Sequence, residues 1–199
     1  AVAILVPLLC NLSEGREHGE LRIDFDLNYF PYQDITEVFN TDNKLWLYGM
    51  NYDYKTEACV YFEKVGLSQN ELNYTYNVLL DGKWLSLPHH GTFFKDDGEA
   101  YYRKQTSRNS SNTMTAVKAK DNPDIRDYRL VYGHDGCAVF RVPRKHNGMG
   151  CMVLLTDTVV VTGMDNKCKS LYGNACGASP EFKTVFKESC KTSGQFNNK

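Results

Sequence analysis

The sequence predicts an all-β fold, an antiparallel barrel or sandwich with a short helix and a cysteine-tied C-terminal tail. Eight or nine strand-like runs follow one another at spacings of roughly ten residues, separated by turn residues. The chain has 13 tyrosines and 10 phenylalanines, and aromatic side chains favour strands. One long meander comes first and a cysteine-rich tail follows it. That order favours an eight-stranded barrel, which is wide enough to hold one small ligand, over a sandwich, which fills its own core.

The strand-like runs start after an acidic first part that holds one helical turn at 34–40. The predicted strands cover residues 44–52, 58–66, 71–80, 84–94, 99–106, 113–120, 127–133, 137–143 and 151–157. Asp81-Gly82 is a strong hairpin signal. Pro88 and Gly91 interrupt the fourth run, which predicts an edge strand or a kinked one. Residues 164–176 predict a short helix, and 182–190 predict a last strand or extended segment.

The first residues and the cysteines predict an extracellular protein. The apolar run that ends at Cys10 is typical of the end of a secretory signal peptide, so residues 1–15 are interpreted as its remnant and 16–199 as a single domain. Of the seven cysteines, six remain without Cys10, and an even set in a small secreted chain predicts three disulfides. The sequons at Asn73 and Asn109 predict glycosylation. The alternative is a reduced intracellular protein with buried thiols.

Composition and motifs exclude several other functions. The formal net charge of −1 argues against nucleic acid, and no apolar run is long enough to span a bilayer. Nucleophile-elbow, phosphate-loop and zinc-helix motifs are missing, and six paired cysteines leave no thiol nucleophile, so we expect neither an enzyme nor a cofactor. His89 and His90 are adjacent on an extended segment and point in opposite directions, so a metal site is not expected.

Several motifs resemble the salivary lipocalins of ticks, the histamine-binding protein family. They are PYQDITEVFNTDNKLWLYGMNY, ACV, TMTAVKAK, GCAVFRVP, GCMVLLT, DNKC, YGNAC and VFKESC, over roughly residues 31–192. The resemblance implies an eight-stranded lipocalin-like barrel with the disulfides Cys59–Cys190, Cys137–Cys168 and Cys151–Cys176. It also implies a monomer secreted in saliva that sequesters a host mediator and thereby helps evade host defence. The family's mediators include histamine, serotonin, leukotrienes and other fatty acids.

The chain departs from the amine-binding members of this family at the positions of their acids. Ala138 stands where they carry an acid after the first cysteine of GCAVFRVP, and Met152 lies where their last strand carries another. A third acid corresponds to Asn112. Because a buried ammonium is costly unless a carboxylate pairs with it, these replacements favour an amphipathic lipid. The remaining acids that are able to pair with an ammonium are Asp42, Asp53, Glu57, Glu63 and Asp127, although solvated turn and rim charges are the ordinary role of such residues.

The predicted ligand-binding residues combine these two positions with aromatic side chains of one parity in each strand. They are Trp46, Tyr48, Tyr61, Tyr74, Tyr76, Ala138 and Met152. If Asn73 faces outward for glycosylation, Tyr74 and Tyr76 face inward. The alternative function is a protein-binding module on the same scaffold, which inhibits a host complement or protease component through its loops. The polar and aromatic stretch 83–112 is the candidate surface for that role.

Overall fold

The computed structural model describes residues 23–53, 59–98, 108–118, 125–177 and 181–193. Its strands are β1 Leu45–Met50, β2 Val60–Leu67, β3 Glu71–Leu80, β4 Lys83–Phe94, β5 Thr113–Lys118, β6 Arg126–His134, β7 Cys137–Val142, β8 Gly150–Thr156 and β9 Lys183–Thr184. Its α-helices are α1 Ile35–Phe39, α2 Asn166–Cys176 and α3 Ser189–Thr192. The interpreted signal remnant at 1–15 and the predicted strand at 99–106 lie outside the described residues.

Strands β1 to β8 form a closed antiparallel barrel, which confirms the predicted fold. Each of β2 to β7 pairs with the next strand, and β1 pairs with both β8 and β2. The short β9 pairs with the last two residues of β1. Gly49 permits this approach, because a Cβ at this residue would lie 2.3 Å from the ring of Phe182.

Two tight turns set the register of the barrel's hairpins. Asp81 and Gly82 have φ values of 48° and 74°, and Asp135 and Gly136 have values of 49° and 77°. Two successive residues with positive φ are typical of a type I′ turn, whose twist matches that of the two strands it joins. The Asp81-Gly82 turn therefore joins β3 to β4 as a long, continuous hairpin from Glu71 to Thr92.

Around Pro88, where an edge or kinked strand is predicted, the described residues pair β4 with β3 alone. Strand β4 is an interior strand of the closed barrel and pairs with β3 along its length. Its pairing with β5 starts at His89, one residue after the proline. Because proline lacks an N–H, the end of a ladder is where it costs the least hydrogen bonding.

Alternating side chains of the barrel strands build two apolar clusters, one on each face of the wall. The inner cluster contains Ile35, Phe39, Leu45, Leu47, Met50, Val60, Phe62, Leu72, Tyr74, Tyr76, Val78, Phe93, Met114, Ala116, Tyr128, Leu130, Ala138, Phe140, Val142, Met152 and Leu154. Helix α1, which begins at its N-cap Asp34, contributes the first two of these. The Phe39 ring stacks on Phe93, 6.3 Å between centroids, so the helix closes one end of the barrel.

The outer layer packs helix α2 and the C-terminal tail against the outside of the barrel. It contains Trp46, Cys59, Val131, Tyr132, Cys137, Val139, Cys151, Val153, Leu155, Val160, Cys168, Leu171, Tyr172, Cys176, Phe186 and Cys190. Helix α2 begins at its N-cap Asp165 and confirms the predicted helix. No helix in the described ranges is long and apolar enough to cross a membrane.

Three disulfides fix the outer layer to the barrel, with the pairing that the resemblance implies. Cys137–Cys168 and Cys151–Cys176 join helix α2 to strands β7 and β8. Cys59–Cys190 joins the tail to the start of β2 across a sequence separation of 131 residues. All six cysteines of the described chain are paired, so none of them is a free thiol.

A buried charge network holds the segment before α1 against the outer face of β7. Both side chains of its central pair are almost inaccessible, with Asp24 at 0% and Arg141 at 2% exposure. Arg141 Nε and Nη2 donate to the two carboxylate oxygens of Asp24 at 2.6 and 2.9 Å. Arg108 donates to the carbonyl oxygen of Asp24 and to the side chain of Gln33. The network satisfies buried charges that would otherwise be costly.

Candidate ligand-binding site

The open end of the barrel, opposite helix α1, holds a cavity of about 220 Å³. Its lining residues are Tyr52, Ile125, Arg126, Asp127, Tyr128, Val142, Arg144 and Lys145. Tyr128 and Val142 belong to the inner cluster, so the cavity leads into the barrel lumen. A concave apolar site with a few convergent polar groups is the usual form of a small-molecule site.

Polar and aromatic groups line the lumen beneath this cavity along the β3–β4 hairpin. Tyr74 and Tyr76 face inward, as predicted, and both are buried. His89 lies between them, with ring centroids 5.3 Å from Tyr74 and 5.7 Å from Tyr76. The Arg126 guanidinium sits 5.0 Å from the Tyr76 ring centroid. The guanidinium of Arg126, the imidazole of His89 and the phenol groups of Tyr74 and Tyr76 therefore lie close together on the wall of the lumen.

Ala138 and Met152, where amine-binding relatives carry acids, also face inward. Each is 3% exposed and belongs to the inner cluster. The Met152 sulfur lies 3.9 Å from the Tyr52 hydroxyl at the open end. Ala138 lies toward the closed end, beside a cavity of about 300 Å³ between α1 and the β6–β7 hairpin. Both positions are apolar parts of the lumen wall.

The side chains of the lumen include no buried carboxylate among the described residues. Among the described residues Asp24 is the one buried acid, and it lies on the outer side of the barrel, where it pairs with Arg141. The acids considered as ammonium partners have other roles. Asp42 and Asp53 are almost fully exposed and pair with Lys64 and Lys183, respectively.

The other two candidate acids that the structure describes are not buried in the lumen, although Asp127 lines the cavity at the open end. Glu63 is exposed on β2, and Asp127 at the rim accepts from Thr115 and pairs with Arg144. Glu57 lies outside the described residues. Asn112, the third position where amine-binding relatives carry an acid, is fully buried. Its side chain accepts from the Asp96 N–H at 2.8 Å and donates to the Asp96 carbonyl at 3.2 Å, so it holds the backbone at Asp96 in place.

The inward orientation predicted for Trp46, Tyr48 and Tyr61 is corrected by the structure. All three belong to, or pack against, the outer layer. Alternation gives the parity of a strand but does not say which parity faces the lumen, and these three side chains take the outer one, whereas Phe62 of β2 faces inward. The tail and β4 cover them, with Phe186 5.4 Å and Trp84 6.1 Å from the Trp46 ring.

Sequence reasoning missed His89 and Arg126 as parts of the lumen. Counting outward from the two-residue turn at Asp81-Gly82 pairs His89 with the inward Tyr74, so a signal for His89 exists in the sequence. The histidines do point in opposite directions, since His89 is buried and His90 lies outside, 3.0 Å from Asn73 Oδ1. The described residues contain no cluster of three potential metal ligands.

A closed eight-stranded barrel with a helix across one end and an apolar lumen defines a lipocalin-like ligand-binding protein. The family model of tick histamine binding protein matches residues 23–192. The chain therefore belongs to the tick histamine-binding protein family, a family of ligand-binding proteins.

Comparison with solved structures supports the fold. The crystal structure of the AM182 serotonin complex has a TM-score of 0.55 to this chain, with 14% sequence identity. The alignment covers 80% of this chain and 93% of that chain. At this identity the likeness concerns the fold alone. No curated protein matches the sequence.

Proposed function

We propose that this protein is secreted in saliva and captures a small host mediator stoichiometrically in its barrel, and that the mediator is an amphipathic acid such as a fatty acid or leukotriene. One observation carries the choice of ligand. The lumen that the structure describes has no buried carboxylate, whereas it has a cation and hydroxyl groups beneath its open end. Family membership supports the coarser part of the proposal, which is the capture of a small ligand.

The lumen disfavours a primary ammonium on energetic grounds. Each charge-assisted hydrogen bond that a carboxylate at Ala138 or Met152 would provide is worth roughly 1.5–3 kcal/mol. Losing one lowers affinity about ten- to a hundredfold. Two such losses convert tight histamine binding into weak binding.

The same lumen favours a carboxylate head with an apolar tail. Arg126 provides a guanidinium above the Tyr76 ring, and a guanidinium is well suited to a carboxylate. Beneath it, the wall is formed by apolar side chains such as Val60, Met114 and Leu154. Each methylene of a ligand buried there contributes about 0.8 kcal/mol. The head is then held near the open end while the tail lies in the lumen.

The cavity at the open end is smaller than a lipid needs. Its volume of about 220 Å³ lies below the usual range for ligand pockets, roughly 300–1,000 Å³. Met114 and Met152 line the lumen, and methionine side chains repack readily. We expect a bound tail to enlarge the site by moving these two side chains.

Secretion and glycosylation complete the proposal. Asn73 and Asn109 both have exposed side chains, as an acceptor for a glycan requires. We expect glycans at both positions when the protein is made by eukaryotic secretion, with glycopeptide mapping as the measurement. An unmodified Asn109 in secreted protein would contradict this part of the proposal.

Ligand extraction tests the ligand class directly. The protein is secreted from eukaryotic cells, purified without detergent, and extracted with organic solvent for mass spectrometry. We expect fatty acids at close to one molecule per protein, and none from an unrelated secreted protein purified in parallel. An empty protein that binds histamine at nanomolar concentration would refute the proposed ligand class while leaving the family assignment intact.

A further inference from the structure

A second cleft, of about 600 Å³, lies on the outside of the barrel between the start of β1, β2 and the C-terminal tail. Three aromatic rings form its wall, those of Trp46, Tyr61 and Trp84. Tyr61 lies 5.0 Å from Trp46 and 4.9 Å from Trp84 between ring centroids. The cleft is separate from the lumen, because Trp46 and Tyr61 occupy the outward positions of their strands.

This aromatic wall already holds a primary ammonium, that of Lys44. The Lys44 Nζ atom lies 4.4 Å from the Tyr61 ring centroid and 5.9 Å from that of Trp46. Both distances are within the range of cation–π attraction, about 6 Å. The structure thus shows an alkylammonium in place against two of the three rings, although the cleft is much larger than one lysine head.

The charges around the rings also favour a cation. The lining includes the carboxylates of Asp42, Glu63 and Asp157 against the ammonium groups of Lys44 and Lys191. Burial, followed by the nearby Glu63 carboxylate, raises the pKa of Tyr61, so this phenol stays neutral. If Lys44 moved away, these three carboxylates would face two ammonium groups, that of Lys191 and that of Lys64, which pairs with Asp42.

Asp157 is held in a fixed position for this role. The indole Nε1 of Trp46 donates to its carboxylate at 2.8 Å, and Lys191 Nζ lies 3.3 Å from the same oxygen. Burial raises the pKa of Asp157, but the hydrogen bonds from Trp46 and Lys191, together with the charges of Lys191 and Lys44, outweigh burial, and the pKa lies below its ordinary value. Asp157 is therefore ionised at neutral pH.

The cleft is preformed because the tail is fastened beside it. Cys190 is bonded to Cys59, and Trp84 Nε1 donates to the Ser193 carbonyl at 2.6 Å. The Phe186 ring packs on Trp46 from the side of the tail. A rigid wall spares an incoming ligand the cost of ordering the site.

We propose that this outer cleft is a second binding site, which takes a small organic cation with a primary ammonium group in place of the Lys44 side chain. The Lys44 ammonium is the internal competitor for the ligand, and Glu63 and Asp157 supply the carboxylates. Because the cleft is open to solvent, we expect weak binding, with a Kd of about 1 mM for a simple amine. The proposal does not depend on what the lumen binds.

Tryptophan fluorescence reports on this cleft, since both tryptophans of the chain line it. The experiment titrates histamine, which does not emit in the tryptophan range, into the wild type and three variants. We expect a saturable change in emission, binding about fivefold tighter in Lys44→Met and severalfold weaker in Glu63→Gln. Lys183→Met removes an exposed lysine that pairs with Asp53 away from the cleft, and we expect no change there.

Two results would overturn the outer site. One is an emission that does not change up to tens of millimolar histamine. The other is a change in emission whose affinity is the same in Lys44→Met as in the wild type, which would place the amine elsewhere. The three substitutions are at lysine or glutamate side chains outside the apolar clusters, so we expect all three variants to fold, with circular dichroism as the check.

Discussion

The inner cluster and the outer layer are built from the same strands yet differ in chemistry. Inside, the described lumen has apolar side chains, phenol groups and a guanidinium near its open end, without a buried carboxylate. Outside are the buried Asp24–Arg141 pair, the three disulfides and an aromatic cleft with carboxylates around it. Because successive side chains of a strand point to opposite faces, the inner and outer faces of the barrel wall have different roles. Its outer face fixes the shape, which leaves the inner face free to fit a ligand.

The largest effect is expected from breaking the outer layer at its buried ion pair. Asp24→Ala leaves the Arg141 guanidinium buried without its carboxylate, so we expect the free energy of unfolding to fall by about 3–5 kcal/mol. Urea denaturation followed by far-UV circular dichroism measures it. The matched control is Asp53→Ala, which removes an exposed carboxylate from Lys183 and should cost less than about 1 kcal/mol.

Asp24→Ala also separates the two faces. If the outer layer only stabilises the barrel, the folded variant should bind a fatty acid with an affinity within about twofold of the wild type. This corresponds to a change in binding free energy of less than about 0.5 kcal/mol. Equal losses of stability in the two variants would show that the buried pair is no more important than a surface pair.

The second prediction adds a carboxylate to the lumen, where the described residues provide no buried one. Ala138→Glu places an acid on the inward face of β7, and we expect histamine to bind about ten- to a hundredfold more tightly, corresponding to a charge-assisted bond of roughly 1.5–3 kcal/mol. Isothermal titration calorimetry measures the change. Ala138→Gln has nearly the same shape without the charge, so a similar gain in that variant would contradict the electrostatic explanation.

The third prediction concerns the carboxylate head of the proposed ligand. Arg126→Gln removes the guanidinium above Tyr76, and we expect about tenfold weaker binding of a fatty acid, the lower end of the value of a charge-assisted hydrogen bond. Arg144→Gln is the matched control, because Arg144 also lines this opening and its removal takes away a guanidinium that pairs with Asp127. If both variants bind like the wild type, the guanidinium does not hold the head.

The smallest effect is expected in the outer layer at Tyr172. Burial raises the pKa of its hydroxyl to about 12, and this hydroxyl has no hydrogen-bond partner among the described residues. Since the folded state keeps the proton and the unfolded state loses it near pH 10, the stabilisation is complete below pH 10 and decreases as the pH rises toward 12.

Replacing Tyr172 with phenylalanine tests this predicted loss of stability with rising pH. At pH 7, Tyr172→Phe should be neutral or more stable by less than about 1 kcal/mol, because it removes an unpaired buried hydroxyl. Between pH 10 and 12 the variant should lose less stability than the wild type. Urea denaturation across this range measures the difference, and identical slopes would show that Tyr172 titrates at its ordinary pKa in the folded protein.

Much of the fold was predictable because its signals are local. The turn at Asp81-Gly82 and the helix that ends at Cys176 depend on neighbouring residues, and the structure has both. The disulfide pairing was accessible through the family resemblance and not from spacing. The environment of Pro88 was harder to predict, because closure of the barrel, which is a non-local property, decides where β4 has a neighbour on each side.

The site was less predictable, since it depends on which face of each strand points inward. Tyr74 and Tyr76 were placed correctly on β3, since an outward Asn73, as its sequon predicts, puts both of them inward. Trp46 and Tyr61 have no such marker, and the tail that covers them lies more than a hundred residues away in sequence. Arg126 was missed because its place above Tyr76 requires the register of several strands at once.

Displacement of a fluorescent fatty acid from the lumen tests the central claim most directly, namely that the inner face binds an amphipathic acid and not an amine. The probe is bound first, and then leukotriene B4, oleate or histamine is added while probe emission is followed. We predict that both acids displace the probe at micromolar concentration or below, whereas histamine leaves it bound even at millimolar concentration. Displacement by histamine at micromolar concentration, or failure of the probe and both acids to bind, would contradict the claim.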